Sequence, residues 1–240
     1  QPLGVEVYNF EGDRVNKLPR ILNWSPTLVE KNIFKHFMLK EIHEQPNVIR
    51  SCLDAYINSD WDVQNIQISP TNLELSPSLY KNLEKVEIFA CGTSWNASLI
   101  GKHLLEQLAG ISTTVSYASE ARYAPCPLRE NTLIIGVTQS GETADTLAAL
   151  GMEQQRRLDK AVNFTSRFLG ITNRVESSIT NLVDEVIDIR AGIEIGVAAT
   201  KTFIAQVMVF YFLAIDLAWQ RQYLSGERTV SYTHLRAHET

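Results

Sequence analysis

Between residues 86 and 189 the chain alternates short apolar runs with stretches whose apolar positions recur every three or four residues. Residues 86–90 (VEIFA) form the first run. Residues 94–109 then carry a helical pattern that Gly110 closes. Residues 113–118 (TTVSYA) read as a strand and 119–123 as one helical turn. The most apolar strand is 131–138 (NTLIIGVT), and 144–158 is the helix after it. Residues 168–172 (FLGIT) and 185–189 (EVIDI) complete five strands, with a short helix over 176–182 between them. A long helix runs over 198–222. Strands apolar along their whole length are covered on both faces, as in a parallel sheet. The pattern therefore predicts an α/β, three-layer sandwich around a five-stranded parallel sheet of flavodoxin-like type. Ligands in such a sheet bind beyond the carboxyl ends of the strands.

The lead-in to this alternation is less regular. Residues 1–30 read as a hairpin, VEVYNF-EGD-RVNKLPR, followed by an extended linker. Gly12 and Asp13 supply turn chemistry, while Pro19 and Pro26 oppose a helix. Over 31–58, Ile33, Phe34, Phe37, Met38, Ile42, Val48, Ile49 and Leu53 recur at helical spacing, and Pro46 is expected to divide two helices. Residues 59–84 are loop-like. The apolar stretch 203–219 contains Gln206 and Asp216 and is short for a membrane span, so it is expected in a core or a subunit contact. Residues 231–240 (SYTHLRAHET) have no apolar periodicity and resemble translated adapter read-through. A non-native tail is expected over 226–240.

Composition narrows the function classes. The 240 residues are 45% apolar and 20% charged, which fits a soluble globular protein and excludes disordered or fibrous chains. A net charge of −5 with no basic stripe argues against nucleic-acid binding. Three cysteines without a CxxC pair suit a reducing cytoplasm. No secretion signal follows Gln1, and the chain reads as the middle of a longer polypeptide.

Two turns carry candidate chemistry. Cys91-Gly92-Thr93-Ser94 follows the first strand, and Thr138-Gln139-Ser140-Gly141-Glu142-Thr143 follows the most apolar one. Each opens a helix whose first N–H groups have no intrahelical partner and whose dipole favours an anion. The hydroxyls of Thr93, Ser94, Ser140 and Thr143 can donate to phosphate oxygens, with Thr138 at the strand end. One such turn alone reads as a helix cap. Two on one sheet edge point to a phosphate cradle. G-x-x-x-x-G-K-S/T and strand-linked G-x-G-x-x-G are absent, which argues against nucleotide hydrolysis and dinucleotide binding. Glu194 and Lys201, in a third segment over 191–201, have the chemistry for proton transfer, but ion pairing or exposure is the plainer reading. Cys91 reads as a small buried hydrophobe, Trp95 as a core or sugar-stacking ring, and His36 and His43 as structural residues on one helical face.

The segments CGTSWNASLIGKHLLEQLAGI, YASEARY, TQSGETADTLAAL, GITNRVESSIT and AGIEIGVAATKTF resemble the first sugar isomerase (SIS) domain of the glutamine–fructose-6-phosphate aminotransferase family. HFMLKEIHEQP is similar to the opening of that family's isomerase half, and residues 1–25 to the end of its glutaminase domain. The resemblance implies four parts: 1–30 from the glutaminase domain and linker, 31–84 a helical lead-in, 85–225 the first SIS domain, and 226–240 the tail. It implies conversion of fructose 6-phosphate and glutamine to glucosamine 6-phosphate, without metal or organic cofactor. Thr93 and Ser94 match the family's first sugar-phosphate loop, Thr138, Gln139, Ser140 and Thr143 its second, and Val197 and Ala199 the loop that meets the sugar. Thr138 stands where members often carry Ser, and Ala199 where some do. The catalytic cysteine, and the acid–base Glu, Lys and His of a second SIS subdomain, would lie outside residues 1–225. This chain is thus expected to bind sugar phosphate without turnover, with glutamine handled by the absent domain, as part of a cytoplasmic homodimer away from nucleic acid and membrane. Two alternatives remain. A phosphosugar-sensing module of a regulator would carry an upstream helix-turn-helix where 1–25 offers a hairpin, and a flavin domain would need aromatic pairs that neither turn supplies.

Overall fold

The computed structural model describes residues 5–16, 30–61, 68–159 and 167–223. The predicted tail, most of the linker after residue 16 and residues 62–67 lie outside them. The hairpin is present, with β1 (Val7–Tyr8) antiparallel to β2 (Arg14–Val15). Its turn is organised by Asn9, whose Oδ1 accepts from the N–H groups of Asp13 (2.8 Å) and Glu11 (3.1 Å).

Helix α1 (Phe37–Tyr56) runs unbroken through Pro46, so the expected division into two helices is wrong. Pro46 is exposed, and the carbonyl it leaves unpaired belongs to Ile42, which is itself exposed to water. Val48, Cys52, Leu53 and Tyr56 continue the buried face past the proline, and that packing holds the helix together. A bridge joins Ile57 to Thr71, and a single turn, α2 (Pro77–Tyr80), is capped by the Ser76 hydroxyl.

The five strands are β3 (Lys85–Ala90), β4 (Ser112–Tyr117), β5 (Thr132–Thr138), β6 (Phe168–Thr172) and β7 (Glu185–Asp188). All pair in parallel, in the order β4-β3-β5-β6-β7. Alternate residues serve opposite faces. Val86, Ile88, Leu133, Ile135 and Val137 join the core beneath α1, α3 (Gly92–Ala109) and α6 (Lys201–Gln220). Phe89, Ile134 and Phe168 meet α4 (Ala118–Ala121) and α5 (Ala144–Leu158) on the other side. The fold is the predicted three-layer α/β sandwich. The short helix expected over 176–182 is a single 3-10 turn, Ser178–Asn181.

Helix α6 has 20 residues and a mean hydropathy of 1.7, long and apolar enough to cross a membrane by length and composition. It lies within the helix read over 198–222, reaches slightly past the apolar stretch 203–219, and is mostly buried inside this protein instead. Phe210, Phe212, Leu213 and Leu217 are fully buried, each contributing about 1.5–3 kcal/mol of apolar transfer. Its one carboxylate, Asp216, accepts from the hydroxyls of Ser69 (2.8 Å), Thr71 (2.8 Å) and Tyr80 (2.5 Å), which ties the lead-in loop to the helix. Burial, reinforced by the Asp216 carboxylate, pushes the Tyr80 phenol pKa up.

Candidate functional site

β3 is followed in space by β4 on one side and β5 on the other, so the chain reverses direction across the sheet between β3 and β5. These two strands are parallel neighbours with Ala90 opposite Val137. Both candidate turns therefore leave the same rim, side by side at the switch point.

The first turn is shorter than sequence reading has it, because α3 already begins at Gly92 and draws Thr93 and Ser94 into its first turn. Thr93 is exposed. Ser94 is buried, and its Oγ accepts from Nε2 of Gln206 on α6 at 3.0 Å. That contact binds the start of α3 to α6 and leaves the Ser94 proton to donate elsewhere.

The second turn is closed by its own hydroxyls. Thr138 and Thr143 share a hydrogen bond of 2.7 Å between their Oγ1 atoms, and the Ser140 Oγ accepts from the Glu142 N–H at 3.1 Å. Gly141 has φ +70°, and a Cβ there would lie 1.7 Å from Ser177 Oγ, so both conformation and space demand glycine. Glu142 Oε1 accepts from the Ser178 N–H at 2.7 Å, and the Ser178 hydrogen bonds hold its carboxyl below the usual carboxylate range.

The helix-cap alternative fails on geometry. The residues before α3 and α5 are Cys91 and Thr143, and neither side chain caps its helix. The first-turn N–H groups of two helices thus stand at one rim with hydroxyls beside them and no side-chain cap from either residue.

The third segment crosses from β7 to α6. Val197 on it is fully exposed and Ala199 is half-buried. Beside it lies a cavity of about 490 Å³ over the carboxyl ends of β5, β6 and β7, lined by Gln139, Asn173, Arg190, Glu194 and Lys201 among others. That volume suits a small ligand. Of the eight residues matched to the family's sugar-phosphate and sugar loops, Gln139 alone lines it, beside Glu194 and Lys201, so Gln139 joins the second rim turn to the third segment.

Several residues have other occupations. Glu194 accepts from the N–H groups of Thr200 (2.8 Å) and Thr202 (3.3 Å), and Lys201 pairs with Glu44 at 2.6 Å. Trp95 stacks on Tyr117 with ring centroids 4.5 Å apart. Cys91 is half-buried against the α4–α5 cluster. His43 stacks on Phe34 at 5.3 Å, whereas His36 stands at the N-cap of α1, so the two do not share a helical face. Sequence reading missed Asn173, whose side chain accepts from the Ala191 N–H (3.0 Å) and donates to the Gly192 carbonyl (2.5 Å). The available signal was its position directly after an apolar strand. It also missed Arg190, which has φ +53° and whose guanidinium lies over the Tyr56 ring at 5.8 Å. Among the described residues, no group of three His, Cys, Asp or Glu is placed to hold a metal ion.

Residues 79–216 match the SIS domain family. The chain is 63% identical over 223 residues to the glutamine–fructose-6-phosphate aminotransferase (isomerizing) of Thermosynechococcus vestitus, covering 92% of this chain and 35% of that protein. It is 42% identical over 237 residues to the enzyme of the same name from Methanosarcina acetivorans, covering 98% and 36%. Among solved structures, the C-terminal domain of glucosamine-fructose-6-phosphate aminotransferase from Francisella tularensis aligns with a TM-score of 0.73 at 32% identity, over 86% of this chain and 54% of that one. The chain thus spans about a third of the length of these curated relatives.

Proposed function

Because the chain belongs to the SIS domain family, we propose that it is the sugar-phosphate-binding part of an enzyme that makes glucosamine 6-phosphate from fructose 6-phosphate and glutamine. One observation carries this reading: two helix N-termini without side-chain caps lie on adjacent parallel strands at the switch point, with hydroxyls beside both. The names of relatives up to 63% identical point the same way.

In this proposal the phosphate sits between the two turns. It accepts from the first-turn amides of α3 and α5 and from the hydroxyls of Thr93, Ser94, Ser140 and Thr143. Thr138 keeps Thr143 in place through the shared hydrogen bond. The hexose extends past Gln139 toward Val197 and Ala199. With Ala at 199 that contact is made by backbone alone. The chain holds and orients its ligand, and the acid–base groups belong to parts of the enzyme beyond this chain. Glu194 and Lys201 are not those groups, since a helix terminus and Glu44 already engage them.

The same reading takes 1–30 as the end of a glutaminase domain and linker, 31–84 as the lead-in, 85–225 as the first SIS domain and 226–240 as a foreign tail. Glutamine would reach the enzyme through its other domain. The assembled enzyme would be a cytoplasmic homodimer, in keeping with three unpaired cysteines.

Calorimetric titration of the chain with fructose 6-phosphate, glucosamine 6-phosphate and inorganic phosphate tests the reading. Removing a hydroxyl by Ser140→Ala or Thr143→Val is expected to weaken all three ligands by about tenfold, the worth of one hydrogen bond to a charged group. Equal binding by the wild type and both variants removes the cradle.

A further inference from the structure

The segment that bears Val197 and Ala199 forms no helix or strand between Gly192 and Thr200. Its backbone N–H groups need partners, and two carboxylates supply them. Glu194 closes the start of α6 by accepting from the Thr200 and Thr202 amides and from the Thr202 hydroxyl. The other carboxylate comes from far away in sequence. Glu41 on α1 accepts from the Ile195 N–H at 2.6 Å and from the Gly196 N–H at 3.0 Å.

This bond costs α1 its ordinary amphipathic order. Glu41 is 2% exposed and Lys40 7%, whereas Met38, Leu39 and Ile42 are 45%, 42% and 40% exposed. A helix that served only to pack would bury those apolar residues and solvate the charged ones. Buried charge needs compensation, and it is present. Lys40 donates to the Glu30 carbonyl at 2.7 Å, and Lys201 pairs with Glu44 beside it. Residue 196 is shaped to the same contact, because a Cβ on Gly196 would lie 2.4 Å from the Glu41 Oε2.

We propose that Glu41 is a positioning residue: its carboxylate fixes the backbone at 195–196 and so sets where Val197 and Ala199 meet the hexose. The lead-in helix is then part of the sugar site and more than a connection between domains. The inference rests on the reading above that these two residues face the sugar. It assigns Glu41 to the hexose end of the ligand and leaves the phosphate end to the rim turns.

Comparing two ligands on the whole chain separates the roles. Glu41→Ala is expected to weaken fructose 6-phosphate by about tenfold, the loss that follows from releasing charge-assisted hydrogen bonds, while inorganic phosphate binds as before. Glu41→Gln keeps a carbonyl acceptor for both amides and is expected to recover most of the loss. Gly196→Ala, which crowds the same carboxylate, should reproduce the split and carries the test with Glu41→Gln if Glu41→Ala does not fold. Equal weakening of both ligands would make Glu41 a general support of the fold and overturn the proposal, as would no weakening of either. A wild-type chain that binds phosphate with no gain from the hexose overturns it while sparing the cradle. A chain that binds neither ligand overturns the cradle first and the proposal with it.

Discussion

The turn after β5 and the segment between β7 and α6 border one cavity, yet they are held differently. Thr138 bonds Thr143 five residues on, and Ser140 bonds the Glu142 amide two residues on. Over 192–200, Ile195 and Gly196 depend on a carboxylate 154 and 155 residues away. The first region is closed by bonds within its own six residues and braced from outside by the Asn173, Ser178 and Ile179 amides. The second has Glu194 closing its far end, but its middle is fixed only once α1 has docked. Local turns of this kind can form early and stay put, whereas a segment fixed by a distant anchor is only as well ordered as that anchor.

Two substitutions of conditions or residues sharpen this contrast. The largest effect is expected from Gly141→Ala, which forces a left-handed backbone on a side chain and drives its Cβ into Ser177. A destabilisation on the order of 2–4 kcal/mol is expected in denaturant unfolding, in line with the strain of such positions. An unchanged midpoint would mean that the turn does not hold this left-handed conformation against Ser177. A smaller effect tests the contact that joins this turn to residue 178. The depressed Glu142 pKa means that the carboxylate's contribution is present above its ordinary pKa and is lost as pH falls through the depressed one. The Ser178 amide resonance should therefore titrate with a midpoint below 4.5, the ordinary value for this carboxyl. A midpoint at or above that value would show that the contact does not form in solution.

Legibility in the sequence follows the same division. Strands apolar along their whole length, and a helix over 144–158 with clear periodicity, can be read because each signal lies inside its own segment. The two rim turns are legible for the same reason. Pro46 misleads because its local veto on helix is outweighed by burial of Val48, Cys52, Leu53 and Tyr56 beyond it. Glu41 and Asp216 are illegible as anchors. One looks like a surface residue and the other like a flaw in an apolar helix, and their partners lie in distant segments. Arg190 is hidden likewise, and Asn173 shows only as the residue after an apolar strand, since the parallel pairing of β5, β6 and β7 is what puts both around one cavity.

In the proposed site, two turns on neighbouring strands grip a single phosphate. Amide-resolved NMR during titration of the whole chain with inorganic phosphate tests it most directly. The amides of Thr93 and Ser94 and those of Ala144 and Asp145 are expected to shift together along one binding curve. Shifts confined to one turn, or two turns that saturate at different concentrations, would contradict it.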